Sequence, residues 1–170
     1  MVNLGQQARG YSTGPALLNS MNSKSFTIRP ANKNDIAALA GLMTALGYPT
    51  TNEEMSTRFE TIEREPGYRT FVAAVDEEVV GMAGACKSFY FEQNGCYVRL
   101  SALVTGEEHR NKGIGKALVA AVEDWARTIN ASSLILNCGN REERKAAHAF
   151  YVRNGFQPRS TGYAKRIADK

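Results

Sequence analysis

From residue 26 onward, apolar positions recur with two periods, and the switches between them outline the elements. Phe26 to Arg29 alternates like a short strand and stops at Pro30. Ile36, Leu39, Met43 and Leu46 then fall three or four apart, which predicts a helix capped by Asn34 and ended by Gly47, before Tyr48-Pro49. Thr51-Asn52-Glu53-Glu54 has the form of a capping box and predicts a second helix bearing Met55, Phe59 and Ile62, closed before Pro66-Gly67. Strands are predicted over 69–75, 79–91 and 97–105. The acidic turn Asp76-Glu77-Glu78 joins the first two, and Asn94-Gly95, a dipeptide suited to positive φ at both positions, joins the last two as a hairpin. Ile114, Leu118, Val122, Trp125 and Ile129 mark one face of a helix over about 113–129. Ser133 to Cys138 reads as a buried strand, Glu142 to Arg153 as a helix, and Phe156 and Tyr163 to Ile167 as short closing strands. The order β-α-α-β-β-β-α-β-α-β-β predicts a mixed α/β (α+β) fold with an antiparallel front half, in one domain over 25–170.

Composition narrows the class. At 170 residues with 43% hydrophobic and 22% charged positions, the chain suits one domain with one real core. No apolar stretch approaches the ~20 residues that cross a bilayer, so no membrane association is expected. A net charge of +4 without a long basic run argues against nucleic acid and suits a small polyanion. Cys86, Cys96 and Cys138 are odd in number and scattered, which predicts reduced thiols in a cytoplasmic protein and no metal site. Cys86 and Cys96 are read either as neighbours across a hairpin or as ordinary strand residues. Residues 1 to 24 carry no acidic residue and only the apolar run Ala16-Leu17-Leu18; they are expected to be a disordered lead, with Met21 as an alternative first residue.

The sharpest local feature is Arg110-Asn111-Lys112-Gly113-Ile114-Gly115, between a strand and a helix. A helix start leaves several N–H groups unpaired and adds partial positive charge. Glycines there let a phosphate approach the backbone, and Arg110, Lys112 and Lys116 add full charges. The segment lacks the Gly-Lys-Ser/Thr of a P-loop and the third glycine of a dinucleotide fingerprint, so a nucleoside-triphosphate binder fits poorly. A phosphate cradle and a glycine-rich helix start with solvated lysines both remain open from these residues alone.

A second motif adds to it. Leu103-Val104-Thr105 followed by Arg110-x-x-Gly113-x-Gly115 resembles the acetyl-CoA motif of the GNAT (Gcn5-related) N-acetyltransferases. Arg144-x-x-Ala147-His148-x-Phe150-Tyr151-x-x-x-Gly155-Phe156 is similar to that family's tyrosine-bearing helix, and Leu46-Gly47-Tyr48-Pro49 to members that acetylate small amines. The resemblance runs from about Phe26 to Ile167 and implies the GNAT sheet and acetyl-CoA as co-substrate, with no metal. It implies that the backbone of Leu103, Val104 and Thr105 pairs with the pantetheine arm, with one amide polarising the thioester carbonyl. It implies further that the amides from Lys112 through Gly113, Ile114 and Gly115 to Lys116 hold the pyrophosphate, with Arg110 and Asn111 in the same loop. Asn137 and Asn140 are implied at the pantetheine arm or substrate, and Arg144 and Lys145 at the adenosine end. Homodimers are common in such proteins.

Acyl transfer from a thioester needs a neutral amine, donors for the oxyanion and a proton for the leaving thiolate. By resemblance Tyr151 is the general acid; read alone, it is equally a buried aromatic beside Phe150. Related sequences often carry a glutamate early in the strand before the acetyl-CoA loop, where this chain has Arg99. Ordered water, Glu107 or Glu108 are the remaining routes for the amine proton. Arg99 is either a solvated strand residue or a partner for an acidic group on the acceptor. His148, three residues before Tyr151, and His109 are expected to pack and hydrogen-bond. The function implied is transfer of acetyl to a primary amine of a small molecule. An acyl-CoA sensor of the same fold and a protein N-acetyltransferase are the alternatives. Specificity is expected in the loops Tyr48–Thr51, Phe89–Gly95 and Arg159–Tyr163.

Overall fold

The computed structural model describes residues 25–167, so the expectation for residues 1–24 falls outside the described residues. The elements are β1 (Phe26–Pro30), α1 (Ile36–Ala45), α2 (Asn52–Arg64), β2 (Tyr68–Val75), β3 (Glu78–Phe89), β4 (Cys96–Thr105), α3 (Ile114–Thr128), β5 (Leu134–Leu136) and α4 (Lys145–Arg153). They form the expected mixed α/β fold around one sheet in the order β1-β2-β3-β4-β5. The first four strands are antiparallel, and β5 joins β4 in parallel. No helix among the described residues is long and apolar enough to cross a membrane.

The sheet is apolar on both faces, as a sheet covered by helices must be. On one face Ile114, Leu118 and Val122 of α3 pack on Ala73, Ala83, Val98 and Leu100. On the other, Leu39 and Leu42 of α1 and Met55 and Phe59 of α2 pack on Val72, Met82 and Val104. Val98 and Leu100 of β4 therefore face α3 while Val104 faces α1 and α2, so the strand changes its alternation between them.

Several expected boundaries move, each for a local reason. The N-cap is Asn32, not Asn34: its side chain accepts from Asn34 N at 2.9 Å and Asp35 accepts from Asn32 N at 2.8 Å, a reciprocal box around a short 3-10 turn before α1. The Thr51/Glu54 box of α2 forms as read. The tight two-residue hairpin lies between β2 and β3, where Asp76 and Glu77 have φ of 48° and 71°. At the other hairpin only Gly95 is left-handed, and residues 90–95 make a longer loop. Tyr90 is drawn out of that ladder: its hydroxyl lies 2.9 and 2.8 Å from those of Ser132 and Ser133. Cys86 pairs with Arg99 and Cys96 with Phe89, so the two cysteines do not face each other, and all three thiols are free. The closing strands at Phe156 and Tyr163–Ile167 do not form; Phe156 packs against Tyr151, while Tyr163 and Ile167 stand in solvent with no apolar face to bury.

Asp35 ties β1 to the start of α1. It is buried, and Arg29 grips both its oxygens at 2.7 and 2.8 Å. These hydrogen bonds, with the one from Asn32, hold its carboxyl below the usual carboxylate range despite burial. A depressed pKa means that this stabilisation is present above the unfolded value of ~3.9 and is lost as pH falls below it. Arg29 is about a third exposed, which screens the pair. We expect Asp35→Asn to cost about 1–2 kcal/mol at pH 7 and to weaken the loss of stability on acidification below pH ~4. Thermal melts of both proteins across pH 3–7 would check it; parallel curves would refute it.

Candidate functional site

The site begins with an irregularity in β4. Ala85 pairs with Leu100 and Gly84 with Ala102, so Ser101 is an extra residue, a β-bulge. Pairing with β5 covers only Val98, Arg99 and Leu100 and ends at Leu136. From Ser101 to Thr105 β4 runs on without β5 beside it, and a wedge opens between the strands. Alternate residues of a strand send their N–H and C=O groups to opposite sides. Gly106 N bonds Val80 O, so Val104 pairs with Met82 of β3 while Leu103 and Thr105 present unpaired groups to this wedge, as a free sheet edge does.

The wedge leads to the start of α3. Asn111 and Gly113 are left-handed, with φ of 61° and 83°, and the first backbone bond of the helix runs from Ala117 N to Gly113 O at 3.0 Å. No side chain caps Gly113, and the amides of Ile114, Gly115 and Lys116 have no acceptor among the described residues. Such a run of convergent N–H groups at a helix start is an anion cradle. Arg110 is exposed and leans on Glu107 at 3.4 Å, while Lys112 and Lys116 project into solvent. The two glycines differ in role: Gly113 has open space around it and is required by its φ, whereas a Cβ on Gly115 would stand 3.3 Å from the Phe150 ring. Gly115 thus lets α4 lie against α3.

The third wall is α4 and the segment before it. Phe150 lies over Gly115 near Thr105, so the ends of β4, α3 and α4 meet there. Tyr151 is partly buried, its ring edge-on to Phe150 and Phe156 at 5.4 and 5.6 Å. Its hydroxyl has no hydrogen-bond partner among the described residues and keeps contact with solvent. Burial raises its pKa above the usual tyrosine value; the nearby Cys138 thiol pushes the same way and Arg144 opposes. The phenol is therefore a neutral donor through the physiological range.

Other expected residues fall less centrally. Arg144 donates to Leu46 O at 3.4 Å, a link across the fold that brings the Tyr48 loop to the foot of α4. Asn137 sits against Gly162 and Asn140 is exposed without a partner among the described residues. His148 Nε2 is 2.9 Å from Gly139 O, fastening α4 to the preceding loop, and His109 packs beside Gly106. Glu107 and Glu108 are exposed on a turn. The Phe89–Gly95 loop sits at the far end of β4 from the cradle. Sequence reasoning missed the Ser101 bulge, for which no residue signals, and the Arg144–Leu46 link.

Known proteins share this fold. The model of the acetyltransferase (GNAT) family matches residues 36–156. The human protein called N-acetyltransferase 8 is 35% identical over 104 residues, 61% of this chain and 45% of its own. The chain thus spans under half the length of that relative and of a similar N-acetyltransferase from Bacillus subtilis. A GNAT family acetyltransferase structure from Staphylococcus aureus superposes with a TM-score of 0.72 at 29% identity, covering 84% of this chain and 99% of its own. An aminoglycoside N-acetyltransferase in complex with CoA shares the fold at a TM-score of 0.72 and 22% identity, covering 84% of this chain and 96% of its own.

Proposed function

This chain belongs to the acetyltransferase (GNAT) family, and from that premise we propose that it transfers acetyl from acetyl-CoA to a primary amine of a small molecule. The observation that carries the reading is the wedge beside Leu103, Val104 and Thr105 that ends at the open amides of Ile114, Gly115 and Lys116. An extended amide-bearing arm fits the first part and a pyrophosphate the second. That a structural neighbour is named as an aminoglycoside acetyltransferase with CoA supports both co-substrate and acceptor class.

In this reading acetyl-CoA supplies the activated acyl group, and the chain positions and polarises it. The open edge of β4 aligns the arm and provides an amide toward the carbonyl oxygen, where negative charge develops. The neutral amine nitrogen forms its bond to the carbonyl carbon as the C–S bond breaks. Tyr151 gives its proton to the departing sulfur, and the amine's surplus proton, passed to solvent, is balanced by one that solvent returns to the Tyr151 phenolate, so the products are the N-acetyl amine, CoA thiol and the restored phenol. Arg110, Asn111, Lys112 and Gly113 shape the cradle, Arg144 braces the acceptor loop, and Asn137 and Asn140 serve the pantetheine arm or the acceptor.

Release of CoA thiol should depend on an amine when acetyl-CoA is offered with pooled amino acids, polyamines, amino sugars and aminophosphonates. Acetyl-CoA binding without release from any pool would defeat the small-molecule reading and favour a protein acceptor or a sensor.

A further inference from the structure

Arg99 stands apart from the other arginines. Arg29, Arg58, Arg64, Arg110 and Arg127 each hold a carboxylate. Arg153 and Arg166 have no side-chain acceptor among the described residues but stand in solvent, where none is needed. Arg99 is partly buried, in mid-sheet, and has neither a carboxylate nor a carbonyl within reach among the described residues. A guanidinium taken partly out of water favours an anionic partner, and its planar fork suits a carboxylate or phosphate.

Its direction follows from the strand. Val98 and Leu100 point into the α3 side of the core, so Arg99 points to the opposite face. There its cross-strand partner is Cys86, whose sulfur lies 3.7 Å from the Ser101 hydroxyl. Arg99, Cys86 and Ser101 thus form a polar strip beyond the apolar cluster that α1 and α2 cover. The strip ends at the bulge where the wedge begins. Arg99 lies four positions before Leu103, roughly 13 Å along the strand at ~3.3 Å per residue. A long side chain reaching toward the wedge shortens that to the span of a small molecule.

We infer that Arg99 binds an acidic group on the acceptor, which makes the preferred substrate a primary amine carrying a carboxylate or phosphate a few bonds away. The inference rests on the transferase reading and names the acceptor of that site. Arg99 recognises the acceptor and takes no proton from it.

The test pairs each anionic amine with a neutral analogue: an α-amino carboxylate with its amide, and an aminoalkyl phosphate with the aminoalkanol. Wild-type protein should favour one anionic series at least about tenfold in kcat/KM, and whichever series responds identifies the acid. Arg99→Gln should raise KM for that acceptor about 10–100-fold, as expected for a lost charge-assisted contact. It should leave KM for acetyl-CoA and rates with neutral amines unchanged, and Arg99→Lys should recover part of the loss. Equal use of charged and neutral acceptors, or a preference that survives Arg99→Gln, overturns the inference and leaves the transferase reading standing. Equilibrium binding of the same amines to the CoA-loaded protein reads the subsite without turnover. If no anionic amine binds tighter than its analogue there, the inference fails whatever the rates.

Discussion

Tyr151→Phe is expected to lower kcat by about 10²–10⁴, the usual worth of a positioned general acid, while acetyl-CoA binding and the melting temperature stay near wild type. The substitution removes one oxygen and keeps the ring that packs on Phe150 and Phe156. The lost hydroxyl has no hydrogen-bond partner among the described residues, so nothing in the fold is left unsatisfied. A structural role predicts the reverse pattern, with stability lost and turnover kept. The pH dependence separates the two further. Because burial holds the Tyr151 phenol protonated beyond its usual range, an alkaline fall in kcat caused by its ionisation comes at higher pH than an exposed tyrosine would give. In Tyr151→Phe that limb disappears, and any acid limb set by protonation of the amine remains. Unchanged turnover in the variant would remove Tyr151 from the chemistry.

What was legible in the sequence divides along physical lines. Elements with a long apolar period were readable because the core enforces the period: Leu118 and Val122 of α3 and Met55 and Phe59 of α2 are buried where the spacing puts them. Caps written in adjacent residues were readable as well, down to the reciprocal Thr51/Glu54 bonds. Turns were less so. Asn94-Gly95 has the residues of a tight hairpin, yet Tyr90 is held by Ser132 and Ser133, more than 40 positions away, and the ladder ends early. Asp76-Glu77 took the left-handed turn instead, because Val75 and Glu78 face each other in register and leave two residues to close it. The same distinction holds at the site. The glycines, the cations and Tyr151 are written in two compact motifs, but the wedge they border exists because β4 carries an extra residue while β5 stops at Leu136. Strand length and bulge position depend on how three elements pack together, and no window of the sequence contains that information.

Gly113→Val tests the other half of the site, and its expected effect is of similar size. Gly113 has φ of 83° with nothing within 4 Å of the point where a Cβ would stand. The substitution therefore meets no clash; its cost is conformational, about 1–2 kcal/mol for an L-residue held left-handed and more for a β-branched one. The loop escapes that strain by rotating Gly113's position out of the left-handed region, which turns the following amides away from a common point. If two of the amides at Ile114, Gly115 and Lys116 carry phosphate oxygens, the loss is two charge-assisted hydrogen bonds at ~1.5–3 kcal/mol each. That corresponds to roughly 10²–10⁴ in acetyl-CoA affinity. Gly113→Asn, a residue that tolerates this φ, should stay close to wild type. Gly115→Ala should act differently: its Cβ presses the Phe150 ring from 3.3 Å, displaces α4 and so the neighbouring Tyr151, and lowers kcat more than affinity. Titration of each variant with acetyl-CoA, alongside kcat, separates the two glycines. Wild-type affinity in Gly113→Val would mean that the start of α3 holds no phosphate, and the cradle would have to be sought elsewhere.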